Sequence, residues 1–285
     1  FEYIMLVRRM YEMARPEDID ALAEFVEAHP DSLGFDHKRH ARAIKPPEST
    51  EIPEDLAYEG LEVVPASEAE PAPEALDASP AVRHESVWLA LPDEGEAFEV
   101  SVVPRQMGRY MEPTAAELLD PSGNIVDTLS VGVKATGNIE VVQAQSGTYV
   151  LRMSAGRQAA KATSTARTFV LVGAEQNFVG PTPRLYFLPD PDAHELEVRL
   201  ESTPPGETAG ITVRDASGEE VFTGHTHANV SVVEQTFALT EADRGAWSLK
   251  VDRVADGYIE DAIVKVSGAL PYFATDPARL VRPEG

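Results

Sequence analysis

Short runs of alternating apolar and polar residues fill the chain from about residue 81 to its C-terminal end. In residues 149–153 an apolar side chain occupies every second position, and residues 247–251 repeat that pattern. A period of two places these side chains on one face of a β-strand. Turn residues separate the runs at intervals of roughly ten residues, a spacing typical of antiparallel β-sandwiches. We therefore predict a mainly β fold in which each sheet buries one face.

This strand-rich region repeats itself with an offset of 95 to 98 residues. A chance similarity would drift over such a length, so we predict two copies of one unit. The expected domains are two tandem antiparallel, jelly-roll-like β-sandwiches, at residues 81–180 and at residues 181–285, the latter with the C-terminal tail. The matched segments are 88–102 with 185–200, 119–124 with 214–219, 147–153 with 245–251, and 168–173 with 263–268.

The segment 1–44 carries a helical pattern instead. Apolar residues recur at three- and four-residue spacing in residues 4–14 and again in residues 19–26, which predicts two short helices joined by a turn. Such a pair offers too little core to bury both apolar stripes by itself. We expect an upstream catalytic domain or a partner chain to cover these helices.

Residues 45–80 have the composition of an acidic, proline-rich linker. From residue 46 to residue 80 there are seven prolines and ten acidic residues, with no lysine or arginine. Proline and like charges favour extended backbone. An acidic spacer is the interpretation we prefer over a specific recognition arm, and the apolar stretch 56–64 is a candidate edge strand.

The charge of the chain excludes several classes of partner. With 48 acidic and 24 basic residues the net charge is −24, which repels nucleic-acid phosphates and anionic lipid surfaces. No apolar run has the roughly 20 residues that a membrane-spanning helix needs, so we expect no membrane insertion. The chain contains no cysteine, which excludes disulfides, thiolate metal sites and cysteine nucleophiles.

Aromatic residues are the main candidates for ligand binding. Those at repeat-matched apolar positions fit the sandwich core better than a sugar-stacking platform. Tyr110 and Tyr258 lie outside the repeat pattern, on expected loops at the sandwich ends, where binding sites often occur. We therefore take these two tyrosines as candidate ligand-binding residues. The repeat-matched rings are Trp88, Tyr149, Tyr186, Phe187 and Trp247.

Metal and catalytic motifs are weak or missing in the sequence. Asp190 and Asp192 are candidate Ca²⁺ ligands, as are Asp120 and Asn124, but neither stretch reproduces a 12-residue calcium loop, and turns explain both. The pair His225 and His227 lacks a third ligand at a diagnostic spacing. No nucleophile elbow, zinc-protease motif, phosphate loop or dinucleotide-binding glycine pattern occurs. We expect the chain to be non-catalytic by itself, with no cofactor other than a possible Ca²⁺ ion.

Two parts of the sequence resemble known families. The turn Leu-Asp-Pro-Ser-Gly at 119–123, followed by Gly-Thr-Tyr-Val-Leu-Arg at 147–152, resembles bacterial pre-peptidase C-terminal sandwich modules, which accompany secreted hydrolases. The opening Phe-Glu-Tyr-Ile-Met-Leu-Val-Arg resembles the last barrel helix of glycoside-hydrolase-like (β/α)₈ proteins. The Leu-Pro-Tyr-Phe tail at 270–273 is similar to the end of such proteins. No catalytic residue can be transferred, because the strand ends of a barrel would lie upstream.

Together these features favour a non-catalytic accessory region of an extracellular or periplasmic polysaccharide-processing enzyme. Its expected roles are to stabilise or space that enzyme, or to tether it to glycan. The alternative is an adhesion or assembly protein whose tandem sandwiches bind another protein. A third hypothesis is a free-standing enzyme with its active site between the two sandwiches.

Overall fold

The computed structural model describes residues 51–284, apart from residues 54, 55, 57, 59, 61, 203–206, 228 and 256. The predicted helical segment 1–44 lies outside the described residues, all of which belong to one compact unit, 47–285. One short helix, α1 (Pro73–Asp77), and two 3₁₀ turns (Glu241–Asp243 and Pro277–Arg279) accompany the strands. The strands are β1 (Val63–Pro65), β2 (Val82–Leu91), β3 (Phe98–Arg105), β4 (Thr114–Leu119), β5 (Ile125–Val131), β6 (Gly137–Val141), β7 (Tyr149–Ser164), β8 (Thr168–Val172), β9 (Glu175–Val179), β10 (Leu185–Phe187), β11 (Glu195–Ser202), β12 (Ala209–Arg214), β13 (Glu220–His225), β14 (Val232–Ala238), β15 (Trp247–Arg253), β16 (Asp261–Ser267), β17 (Tyr272–Phe273) and β18 (Val281–Pro283).

The strands form two antiparallel layers, which confirms the predicted mainly β sandwich fold. Sheet I has the order β14-β11-β16-β9-β2-β7-β3-β6. Sheet II contains β13-β12-β15-β10 and β17-β8-β2-β7-β4-β5. The two parts of sheet II meet where Tyr186 pairs with Ala274, directly after β17. Both layers therefore run through the two sequence repeats.

Two long strands belong to both layers. Strand β2 changes layer at a bulge around His84, which has φ of 65°, and β7 changes layer near Gly156, which has φ of 56°. The His84 Nδ1–H donates to the Gly156 carbonyl at 2.8 Å. Bulges bend a strand locally and in this way make the corners of sandwiches.

The two repeats have the same strand pairing, as expected of tandem copies. The hairpin β4–β5 corresponds to β12–β13, and the pair β3–β6 corresponds to β11–β14. In the hairpin turns, Asp120 and Asp215 each accept two backbone N–H bonds. Glycines at positive φ, Gly123 and Gly218, complete these turns, as the sequence pattern predicts.

One of the four predicted segment matches is wrong. Strand β16 pairs with β11 in the same way that residues 159–164 of β7 pair with β3. Residues 262–267 therefore correspond to 159–164 and not to 168–173. Strand β7 is continuous, whereas the loop 254–260 separates β15 from β16. This inserted loop lengthens the sequence offset between matching residues of the two copies. Two alternating apolar runs look alike in sequence, so the pattern alone selected the wrong partner.

The copies are joined through strands in both layers. In sheet I, Val82 of β2 pairs with Phe178 of β9, and the Val179 N–H donates to the Ala81 carbonyl at 2.8 Å. In sheet II, β17 pairs with β8. Strand β9 lies on the first-copy side of the predicted boundary at residue 180, but it pairs along its length with β16. By its pairing, β9 therefore belongs to the second copy. One buried core contains residues of both copies.

Buried aromatic rings fill this core. Trp88 and Phe169 stack with ring centroids 5.0 Å apart, and Phe187 meets Phe273 edge to face at 5.8 Å. Tyr149 and Trp247 are also buried, as predicted for repeat-matched positions. Tyr186 is the exception, because its side chain packs on the outer face of sheet II in a separate apolar cluster. Successive residues of a strand point to opposite faces, which explains the difference.

The outer face of sheet II is covered by the C-terminal tail and part of the predicted linker. Strand β1 pairs with β18, which places the apolar stretch of the linker in a two-stranded sheet. Leu280 and Val281 are buried there against Leu89. The Tyr58 and Tyr272 hydroxyls lie 3.0 Å apart. The described part of residues 56–80 is therefore packed against the sandwich.

A buried arginine connects these covering segments to the core. Arg279 is 1% exposed, and its guanidinium donates to the carbonyls of Ala75, Ser164 and Ala166 at 2.8 to 3.0 Å. Burial lowers the pKa of Arg279 to about 10, so the side chain stays charged at neutral pH. A buried charge needs such partners to offset its lost hydration.

We expect Arg279→Met to lower the free energy of unfolding by about 3 kcal/mol, because three buried carbonyls lose their donor. Urea denaturation monitored by tryptophan fluorescence would measure the loss. Arg282→Met is the matched control, since Arg282 is exposed on β18, and it should change stability by less than about 0.5 kcal/mol. Equal effects of the two variants would contradict the anchoring role of Arg279.

Candidate functional site

Tyr110, one of the two predicted ligand-binding residues, is held in structural contacts. It lies in the loop between β3 and β4 and packs against a small apolar cluster that includes Met107 and Val179. The Arg157 guanidinium carbon lies 4.3 Å from the centre of its ring. Arg157 also forms an ion pair with Glu112, which is buried. One face of the Tyr110 ring is therefore already occupied by a cation.

Tyr258, the other predicted ligand-binding residue, presents an open ring. It is 57% exposed and lies in the loop 254–260, which forms the corner between β15 and β16. The neighbouring Ile259 is buried, and the Tyr258 carbonyl accepts the Thr208 N–H at 2.9 Å. The backbone at residues 258 and 259 is thus held against the sandwich while the Tyr258 ring faces solvent.

The predicted Ca²⁺ ligands Asp190 and Asp192 form a turn. The Asp190 carboxylate accepts the Asp192 N–H at 2.9 Å, and the Asp190 carbonyl accepts an Arg244 N–H at 2.8 Å. Asp192 is exposed. Asp120 is likewise occupied by its turn, where backbone hydrogen bonds from Asn124 and Ser122 lower the pKa of its carboxyl.

The histidine pair does not acquire a third ligand either. The rings of His225 and His227 have centroids 6.4 Å apart, and both residues are exposed. Within the described part of the chain, no three His, Asp or Glu side chains come close enough together to hold a metal ion.

The structure brings together three charged residues that sequence reasoning missed. Glu207 and Asp261 are 8% and 9% exposed, and the Asp261 N–H donates to Glu207 Oε2 at 3.2 Å. The Asp261 carboxylate forms an ion pair with Arg83 of β2. We name Glu207, Asp261 and Arg83 the junction cluster, because Arg83 belongs to the first copy and both acids belong to the second.

Local structure fixes both carboxyl groups of the junction cluster. Glu207 directly precedes β12, and its carbonyl accepts the buried Ser202 hydroxyl at 3.1 Å. Asp261 is the first residue of β16, which pairs with β9 there. Burial and the neighbouring Asp261 raise the pKa of Glu207 to about 7, because two adjacent carboxylates cannot both ionise without repulsion.

A groove lies on the outer face of sheet II, beside the C-terminal tail. Its volume is about 740 Å³, within the size range of small-molecule sites. The lining is mostly aliphatic and proline side chains, including Leu188, Pro189 and Leu280, and none of the described lining residues is aromatic. Arg244, Arg282, Glu70 and Glu241 supply charges at the same groove. The junction cluster does not line it.

These sites differ in what they can do chemically. An exposed phenol ring such as that of Tyr258 can stack on a sugar face. A groove lined by aliphatic side chains suits apolar side chains of another polypeptide. The junction cluster contains one carboxyl group that binds a proton near neutral pH, and perturbed acids of this kind occur at functional sites and in structural networks alike.

Comparisons with known proteins leave the family open. No protein-family profile and no curated protein matches the chain. Among solved structures, a chain of the empty top-component particle of cowpea mosaic virus matches at 7% identity with a TM-score of 0.21, covering 73% of this chain and 94% of that chain. A TM-score of this size supports no inference about function. In the described residues, no helix is both long and apolar enough to cross a bilayer.

The two tyrosines should respond differently to truncation. We expect Tyr110→Ala to cost about 2 kcal/mol of unfolding free energy, because it removes both apolar packing and the contact with Arg157. Tyr258→Ala should cost less than about 0.5 kcal/mol, because the ring is exposed. Thermal and urea denaturation would measure the stability of both variants. A larger loss of stability in Tyr258→Ala than in Tyr110→Ala would contradict the structural role of Tyr110.

Proposed function

We propose that this chain is a non-catalytic accessory region of an extracellular polysaccharide-processing enzyme, which it stabilises, spaces or tethers to glycan. The observation that carries the proposal is the junction of the two copies, where β9 pairs with β2 and β17 pairs with β8. These pairings combine two sandwiches into one continuous body, which suits a spacer that must hold its shape. The resemblance to pre-peptidase C-terminal modules gives further support.

Most of the candidate site residues make structural contacts within the fold, which also favours a non-catalytic accessory role. Tyr110, Asp190 and Asp120 each serve a local structural contact. Tyr258 is the predicted ligand-binding residue whose ring is left open to solvent. We therefore assign glycan contact, within this proposal, to the loop 254–260.

A second candidate function is favoured by the groove beside the C-terminal tail. Its aliphatic lining and its mixed charges suit a polypeptide partner, as expected of an adhesion or assembly protein. Under this alternative, the sandwiches display the groove, and glycan binding at Tyr258 plays no part.

The proposal predicts binding without turnover. The 285-residue chain should release no reducing sugar from a panel of polysaccharides, and turnover of any of them would refute the non-catalytic role. In pull-down on insoluble polysaccharides, Tyr258→Ala should reduce retention at least about tenfold, in line with the loss of a stacked ring in a small site.

Glu241→Ala is the matched control for retention, because Glu241 lines the groove and not the Tyr258 loop. Unchanged retention of Tyr258→Ala would eliminate this glycan site. The coding sequence upstream of Phe1 separates the two functions: a (β/α)₈ domain there supports the accessory role, and a short signal peptide alone supports the assembly protein.

A further inference from the structure

Three connections of the second copy lie at the same end of the sandwich. They join β11 to β12, β13 to β14 and β15 to β16, and they comprise residues 203–208, 226–231 and 254–260. The start of β12 pairs with the ends of β13 and β15, so the topology places their described parts side by side. Loops at the end of a rigid sandwich are frequent binding surfaces. The exposed Tyr258 ring is part of this surface.

Hydrogen bonds fix the position of Tyr258 relative to the hairpin that follows β13. The Thr208 N–H donates to the Tyr258 carbonyl at 2.9 Å. The buried Ser202 hydroxyl lies 3.1 Å from the Glu207 carbonyl and 2.6 Å from the Thr226 hydroxyl. Because β12 runs between the two loops and neighbouring strands are about 4.8 Å apart, the backbones at residues 227 and 258 are roughly 10 Å apart. This span is longer than a single sugar ring.

The hairpin presents two polar side chains, those of His227 and Asn229. Both residues are exposed, and backbone hydrogen bonds of 2.8 and 2.9 Å between His227 and Val230 close the hairpin. The His227 Nδ1 accepts the Asn229 N–H at 3.3 Å, which leaves the proton of the neutral ring on Nε2. That N–H and the Asn229 side-chain amide are suitable partners for hydroxyl groups.

The charges at this end disfavour an acidic ligand. In the sequence of the three connections, Glu207, Asp256 and Glu260 are the acids, and there is no lysine or arginine. Arg253 precedes the third connection, and Asp261, which pairs with Arg83, follows it. The chain as a whole has a net charge of −24. This negative field repels uronate and sulfated sugars and leaves uncharged ones unaffected.

We propose that this end of the second copy binds an uncharged glycan chain at two points. One sugar ring stacks on Tyr258, and a second sugar of the same chain forms hydrogen bonds with His227 and Asn229. The inference rests on the proposed tethering function and specifies its ligand class and the extent of its site. The hydrogen-bonded path from Tyr258 to Thr226 keeps the two points at a fixed separation, so little conformational entropy is lost when a chain spans them.

Affinity electrophoresis and calorimetry on the 285-residue chain test both points. In gels that contain β-glucan, xylan, mannan or dextran, at least one polymer should retard the chain, whereas polygalacturonate and alginate should not. With the hexasaccharide of the retarding polymer, Tyr258→Ala should weaken binding at least about tenfold. His227→Ala and Asn229→Ala should each weaken it about fivefold, as expected for the loss of one uncharged hydrogen bond.

His194→Ala and Asn138→Ala are the matched controls, and both should bind like the wild type. His194 is exposed at the opposite end of the second copy, before β11, and Asn138 is exposed on β6 of the first copy. Retardation by the acidic polymers would overturn the ligand class. A loss confined to Tyr258→Ala would overturn the second point and leave the tethering role intact. Absence of binding to every polymer, or unchanged binding of Tyr258→Ala, would overturn the tethering role at Tyr258 and this inference with it.

Discussion

Backbone pairing at the edges of the sheets is the constraint on which the rest of the structure depends. A sandwich that ended at β2 and β8 would leave unpaired N–H and C=O groups along both layers, and exposed edges of this kind favour aggregation. Here β9 and β17 of the second copy pair with those strands. The copies therefore complete each other's sheets, and the apolar core continues from one copy into the other.

This junction makes the C-terminal tail part of the core. Strand β17 supplies Phe273 to the interior, and the following residues fold over the outer face of sheet II with β1. Arg279 then links the tail to α1 and to the turn after β7 through three buried carbonyls. Segments that look like a linker and a tail in the sequence thus bury the apolar outer face of a central sheet.

The corners where strands change layer are where the two copies differ. In the first copy β2 and β7 bend without interruption at His84 and Gly156. In the second copy the corresponding strands are broken, and the loop 254–260 occupies the corner. This broken corner carries both the exposed Tyr258 and the buried acids of the junction cluster. A corner without continuous strand pairing has room for an exposed ring and for buried carboxyl groups. This explains why Tyr258 and the acids of the junction cluster lie in the second copy.

The sequence by itself determined the β class, the tandem repeat and the Asp–Gly hairpin turns, because alternation and turn residues act over a few neighbouring positions. It also placed Trp88 and Trp247 in the core. Only the tertiary structure decided that β16 corresponds to the second half of β7, that Tyr186 faces outward, and that Arg83 meets Asp261. Arg83 and Asp261 are 178 residues apart in the chain, and pairing at that distance depends on which sheet edges meet, a property that no local pattern contains.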